Sequence, residues 1–232
     1  SSAVISNLTN TRVVYAGTSG ALVDSANFTF ANNTLSVLNL DVDGLASFDD
    51  IVVSAASTFS GAVDINADIG ESFGSYKLGF DEEIVKYISS ANIATGFHAG
   101  DPNWMQKTIE LSINNQVSIG AHPSYPDLSG FGRRDMSLSK NEVENLIKYQ
   151  VGALTGFVGI DNLSHVKPHG ALYNKAVNDE DTALGIIEAI KSISSDLIHV
   201  VLAGSKWESL AQDQNVKIAK ETYCLLYTSD VA

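Results

Sequence analysis

Three histidines of this chain stand in similar surroundings. His98 lies in IATGFHAGD (93–101), His122 in IGAHPSYPD (119–127) and His169 in HVKPHGALYN (165–174). Each follows an apolar run of strand length and is set among glycine, proline or alanine. Imidazole can exchange a proton near neutral pH or offer a lone pair to a metal ion. Glycine lets backbone approach a ligand closely, and proline stiffens a loop. One strand-end histidine is more often a packed or surface residue. Three of them in loops of one α/β pattern point to a shared site.

Other polar residues stand near the same ends. DINADIGESFG (64–74) carries Asp64, Asn66, Asp68 and Glu71. An extended backbone puts Asp64, Asn66 and Asp68 on one face. Buried carboxylates must be paired, protonated or metal-bound; Asp64 and Glu71 read equally well as solvated ends. GFGRRD (130–135) offers Arg133 and Arg134, one of which could clamp a carboxylate or phosphate while the other is a surface charge. Lys167 could neutralise developing negative charge. His165 and His199 sit inside strand-like runs and read as structural. A helical metal pair from His165 and His169 conflicts with Pro168 between them. On a strand, His165, Lys167 and His169 share one face. Neither a Gly-x-x-x-x-Gly-Lys-Ser/Thr loop nor a Gly-x-Gly-x-x-Gly motif occurs.

These residues need elements to gather them. Strand-like runs occupy 63–69, 91–97, 116–122, 163–168, 196–204 and 215–220. Helical patterns occupy 81–90, 101–115, 137–158, 179–193 and 204–214. The first helix has acids in its opening turn, where the helix dipole favours them. The second opens on Asp101-Pro102, a cap and first-turn pair, and repeats Met105, Ile109 and Ile113. The third opens on a Ser139-x-x-Glu142 capping box and lines up Val143, Leu146, Ile147 and Leu154. This alternation predicts parallel strands with helices outside, an α/β fold. In such folds the site collects at the C-terminal ends of the strands.

Composition bounds the function. The net charge of −13 argues against nonspecific nucleic-acid binding, which needs a basic surface. No apolar run spans a bilayer, and residues 1–20 show no signal-peptide pattern. Cys224 is the single cysteine, so neither an intrachain disulfide nor a cysteine metal site is possible. A reducing, cytoplasmic setting is expected. Residues 1–62 form a different, β-rich segment. Residues 1–61 hold one basic residue, Arg12, and no His, Pro, Trp or Cys. FTFANNTLSVLNLDVDG (28–44) alternates Phe28, Phe30, Leu35 and Val37 around Asn32-Asn33, a hairpin signal. GLASFDD and STFSGAVDI repeat a small-aromatic-small theme. The stretch resembles β-repeats of phage tail fibres.

Four motifs in order, DINADIGESFG, SSANIATGFHAGDPNWM, IGAHPSYPDLSGFGRR and HVKPHGALYN, resemble the LamB/YcsF family, the A subunits of 5-oxoprolinase. The resemblance covers about residues 63–221. It implies an incomplete seven-stranded-type β/α barrel similar to the sugar deacetylases. It implies opening of 5-oxo-L-proline to L-glutamate with ATP as co-substrate, together with the B and C subunits of 5-oxoprolinase. By resemblance, Asp68, His98, His122 and His169 do acid–base work or bind a divalent metal that activates water. Lys167 and Arg133 stabilise charge, and Asn66, Glu71, Asp101, Tyr173 and Asn174 position substrate. Thr95 and Ala67 depart from the pattern, standing where the family commonly has Cys. TYCLLYTSDVA (222–232) does not fit the family, so the chain is expected to lack a strand–helix pair and a late His-Gly-Asp motif. Such a chain is expected to be poorly stable and inactive alone, and the join near residue 62 reads as two sequences brought together. Two other readings stand beside this one. A metal-dependent carbohydrate deacetylase would act on acetylated sugars, and a virion structural protein carrying the barrel as passenger would form detergent-resistant trimers.

Overall fold

Antiparallel pairing opens the chain. In this computed structural model, residues 64–221 are described in full, and before them the backbone of three strands, β1 (Arg12–Ala16), β2 (Leu22–Ala31) and β3 (Thr34–Val37). They form one sheet in the order β1-β2-β3. Ala31 pairs with Thr34, Phe30 with Leu35 and Phe28 with Val37, the register that a two-residue connection at Asn32-Asn33 predicts. The GLASFDD segment, residues 57–63 of STFSGAVDI and the tail 222–232 lie outside the described residues. The chain divides into two units, 1–56 and 57–232, and every residue discussed below lies in the second.

The second unit alternates strand and helix as the periodicity predicts. In order come β4 (Asn66–Ile69), α1 (Asp81–Ile84), β5 (Ser90–Ala94), α2 (Pro102–Asn114), β6 (Ser118–His122), α3 (Lys140–Val158), β7 (Leu163–Val166), α4 (Gly170–Ala176), α5 (Glu180–Ile193), β8 (Ile198–Leu202), α6 (Lys206–Asp213) and β9 (Ile218–Glu221). All neighbours in the sheet are parallel, in the order β4-β5-β6-β7-β8-β9. Six of the seven strands expected of the barrel are among the described residues. The sheet curls strongly. Lys167, just past β7, reaches Asn66 Oδ1 on β4 at 3.1 Å. Flat strands spaced about 4.8 Å apart would put those backbones about 14 Å apart, beyond a lysine side chain. Among the described residues, no helix is long and apolar enough to cross a membrane.

Capping fixes where the helices begin. Asp101 accepts from the N–H groups of Asn103 and Trp104, with Pro102 in the first turn of α2. The Ser139–Glu142 capping box of α3 forms in both directions, each such cap contributing about 1 kcal/mol. Val143, Leu146, Ile147 and Leu154 bury one face of α3, and Gln150 joins them.

Three expectations are corrected. The helix expected over 81–90 stops at Ile84, because Ser89 and Ser90 are drawn off to begin β5, the Ser89 N–H donating to Ile65 O. The face of α2 is Met105, Thr108, Ile109 and Ser112, while Ile113 is 60% exposed. At 100° per residue a spacing of eight drifts about 80° off the starting face. Gly170–Ala176, read as loop, forms α4.

His199, on β8, turns toward the helix layer, where Lys191 lies near it. It is buried, and its Nδ1 has no hydrogen-bond partner among the described residues. Burial, aided by the Lys191 charge, lowers its pKa from 6.5 to about 4. The unfolded chain therefore takes up this proton first. His199 contributes stability above pH 6.5, and the contribution is lost as pH falls from 6.5 toward 4. Thermal melts of His199→Leu and the parent at pH 7.5 and about pH 5 should show a smaller acid-induced drop in the variant. An equal drop in both would contradict this account.

Candidate functional site

Three strand ends and one loop deliver four ligand-type side chains to one place. Glu71 lies two residues past β4, His98 follows β5, His122 ends β6, and His169 is the residue before α4. One ligand atom from each lies within 4.8 Å of all the others. The His98 and His169 rings stack with centroids 3.9 Å apart and planes at 6°. His122 stands edge-on to both. Gly132 packs against the pair at φ 67°, and a Cβ there would lie 2.8 Å from His169 Cδ2 and 2.9 Å from His98 Cβ.

The hydrogen bonds assign each ring its tautomer, since a carbonyl can only accept. His122 Nδ1 donates to Lys167 O at 2.6 Å, and His169 Nε2 donates to Phe131 O at 2.9 Å. The Ser124 hydroxyl donates to Tyr125 O, so it accepts from His98 Nδ1 at 2.9 Å. The nitrogens left over, His98 Nε2, His122 Nε2 and His169 Nδ1, are then open to carry lone pairs. His122 Nε2 and His169 Nδ1 are 3.0 Å apart, and His98 Nε2 is 3.3 Å from Glu71 Oε1. Acceptors this close repel unless a proton or a cation lies between them. Burial, with neighbouring His122, lowers His98 to about 3; burial, with His122 and His98, lowers His169 to about 3. Both rings are therefore neutral at pH 7, as metal ligation requires. Burial raises Glu71. Three imidazole nitrogens and a carboxylate, each ring anchored through its second nitrogen, is a donor set that fits a divalent cation of the zinc type.

A second polar group adjoins the cluster on the inner face of the sheet. Asp68 Oδ2 is 3.3 Å from His122 Nε2, and Asp68 Oδ1 accepts from Asn92 Nδ2 at 2.8 Å. Burial pushes Asp68 up, but the His122 imidazole and the Lys167 charge outweigh it and hold the carboxyl well below its usual range. Lys167 Nζ lies 3.1 Å from Asn66 Oδ1, 3.6 Å from Asp68 Oδ1 and 2.7 Å from Glu221 Oε1. Burial opposes its charge, yet Asp68 and Glu221 raise its pKa. Lys167 is thus an ammonium held among Asn66, Asp68 and Glu221.

The profile of the LamB/YcsF family matches residues 63–230, well over half of the chain. The chain belongs to the LamB/YcsF family. The match extends past Glu221, into the stretch 222–230 that its residue pattern had set outside the family. The chain is 54% identical over 163 residues to the 5-oxoprolinase A subunit of Pyrococcus horikoshii, covering 69% of this chain and 64% of the relative. It is 52% identical over 171 residues to that of Alkaliphilus metalliredigens, covering 72% and 67%. A crystal structure of a lactam utilization protein from Thermus thermophilus superposes with a TM-score of 0.66 at 46% identity, covering 68% of this chain and 65% of that one. The chain spans about 64% of the length of the Pyrococcus relative.

The remaining residues singled out by sequence fall into distinct places in this LamB/YcsF chain. Arg134 is tied to Asp127, donating through Nε at 2.9 Å and again through its terminal nitrogen. Arg133 forms no ion pair among the described residues; it lies over the Phe131 ring, and its charge acts on Glu71. Asp101, read as a substrate group, has its oxygens engaged: Oδ1 caps α2 and Oδ2 accepts from Gly74 N at 2.7 Å, holding the Glu71 loop. Tyr173 lies in the core, its ring edge-on to Trp207, and Asn174 is exposed on α4. Asp64 sits away from the cluster, accepting from the Ser89 and Ser90 hydroxyls where β5 begins. Sequence reading missed Asn92, Ser124, Gln150 and Glu221. Gln150 Oε1 accepts from Thr95 Oγ1 and Ser124 N, and its Nε2 donates to Ser124 O, locking together the loops behind His98 and His122.

Gly132→Ala adds a methyl group between two stacked rings at a positive φ. It should cost about 1–3 kcal/mol in chemical denaturation and weaken cation binding at least tenfold by calorimetry. Unchanged binding would show that the rings need not hold their stack.

Proposed function

We propose that this chain carries the lactam-opening site of a 5-oxoprolinase A subunit, which converts 5-oxo-L-proline to L-glutamate with ATP hydrolysis, acting with the B and C subunits. The observation that carries the reading is the convergence of three imidazole lone pairs and Glu71 beside the Asp68–Lys167 pair. The names of the relatives, a lactam utilization protein and 5-oxoprolinase A subunits, supply the substrate class.

Ring opening adds water across an amide: oxygen joins the carbonyl carbon, the ring C–N bond breaks, and nitrogen gains a proton. An amide carbonyl is a weak electrophile, so ATP-dependent phosphorylation of its oxygen is the assigned source of activation. With no phosphate loop in this sequence, nucleotide handling is assigned to the B and C subunits. Glu71, whose pKa burial raises above the ordinary carboxylate value, suits the exchange of the water and ring-nitrogen protons. Asp68 is kept ionised and faces His122 Nε2, so it offers a second proton acceptor beside the cluster. Lys167, with Asn66, balances the half-buried carboxylates of Asp68 and Glu221. Arg133 acts on Glu71 through its charge and is assigned the substrate carboxylate. Glu71, His98, His122 and His169 would hold a divalent cation, which supplies polarisation of water or of a carbonyl oxygen.

Two measurements test this. Calorimetry with Zn²⁺ should show one site, weakened at least about 100-fold in His122→Ala and in His169→Ala. The chain combined with the B and C subunits should release glutamate from 5-oxoproline only with ATP, and His122→Ala should lower turnover by roughly two orders of magnitude. Full turnover of that variant would remove His122 from the machinery. Deacetylation of acetylated sugars without ATP would instead select the deacetylase reading, which the same cation-type cluster suits.

A further inference from the structure

The inner face of such a sheet is ordinarily filled with branched apolar side chains. Here it holds Asn92, fully buried, and His165. Asn92 Nδ2 donates to Asp68 Oδ1 and to Asn66 Oδ1, both at 2.8 Å. Those partners can only accept, so the orientation of the amide is fixed. Asn92 Oδ1 therefore accepts, and its neighbour at 2.8 Å is His165 Nε2. His165 thus carries its proton on Nε2, and Ser164 Oγ, 3.0 Å from Ile119 O, turns its hydroxyl proton to the other nitrogen at 2.7 Å. The imidazole extends from β7 across β6 to reach β5. Residue 120 is the position it crosses, and a Cβ there would lie 2.1 Å from His165 Nε2. The sheet is open at Gly120 where the ring passes.

We infer that Asn92 and His165 are positioning residues that aim the Asp68 carboxylate at His122. Two groups flank Asp68, the Lys167 ammonium and the open nitrogen of His122. Lys167 Nζ lies 3.6 Å from Oδ1, and His122 Nε2 lies 3.3 Å from Oδ2. The Asn92 amide holds Oδ1 short of a close pair with Lys167, which leaves Oδ2 turned to His122. His165 keeps Asn92 from flipping, since a flipped amide would set its oxygen against a carboxylate. Without this line the carboxylate swings to Lys167 and away from the lone-pair cluster at His122. The inference rests on reading this cluster as the reaction site.

The test is a variant cycle in the complete assembly, read as kcat and KM for 5-oxoproline. His165→Leu removes the donor, whereas His165→Gln keeps an N–H in its place. His165→Leu should lower kcat about 10–100-fold with KM changed by less than about threefold, and His165→Gln should recover most of the loss. In an Asp68→Asn background His165→Leu should change kcat by less than about twofold, because the residue it acts through is already altered. Asn92→Asp, nearly isosteric, covers the case of a leucine variant that does not fold: it should lower kcat in the parent and change it little beside Asp68→Asn. Multiplicative losses in the double variants, or glutamine no better than leucine, overturn the inference. If the parent assembly opens no lactam, the functional reading fails by itself. The positioning is then judged on Zn²⁺ affinity of the full chain, with about a tenfold loss in His165→Leu, none in His165→Gln, and none added beside Asp68→Asn.

Discussion

Lone pairs that face one another repel, and the centre of this protein gathers four acceptor-bearing side chains within 4.8 Å. Much of the surrounding architecture opposes their separation. Each ring is tethered through its far nitrogen to an oxygen of a loop, and each loop is tied in turn. Gln150 bridges Thr95 and Ser124. Asp127 binds Arg134 and the Gly130 N–H, closing the loop that contains Phe131 and Gly132. Asp101 and Asp81 hold the ends of the Glu71 segment through Gly74 and Gly70. A donor arrangement maintained against its own repulsion is the pre-organisation that lets a cation or a proton bind without rearranging the protein.

The polar interior beneath that cluster follows a related logic. A charge taken out of water is tolerated only if it is paired and hydrogen-bonded. Lys167 meets this requirement with Asp68, Glu221 and Asn66, drawn from both edge strands of the described sheet, β4 and β9. The pairing therefore depends on curl. Flattening the sheet would leave the ammonium and two carboxylates unpaired, so closure of the sheet and charge balance stabilise each other.

Much of the fold was legible because parallel strands buried on both faces read as apolar runs and capped helices announce their starts. The cluster histidines were legible for the same reason: they stand where such runs end. Asn92 was not. Within ANIATGF it reads as one polar residue in a strand, and only the register places it opposite Asp68 and Gly120. Gln150 lay on the buried face of α3, where the periodicity of its apolar neighbours drew attention away from it. Glu221 needed the curl of the sheet to meet Lys167. Asp101 carried two signals, a cap and a strand-end carboxylate, and the backbone N–H groups nearest in sequence claimed it. The helix at Gly170 was hidden by a Pro-x-Gly opening that ordinarily marks a loop.

The passage of His165 over Gly120 ties two positions 45 residues apart into one steric unit. Any side chain at 120 and an imidazole at 165 are mutually exclusive in this backbone. Position 120 cannot drift independently during descent: a substitution there survives only where 165 has already become small. Related sequences should therefore carry a side chain at 120 only where 165 is no longer histidine, a signature that could be read from an alignment without any coordinates.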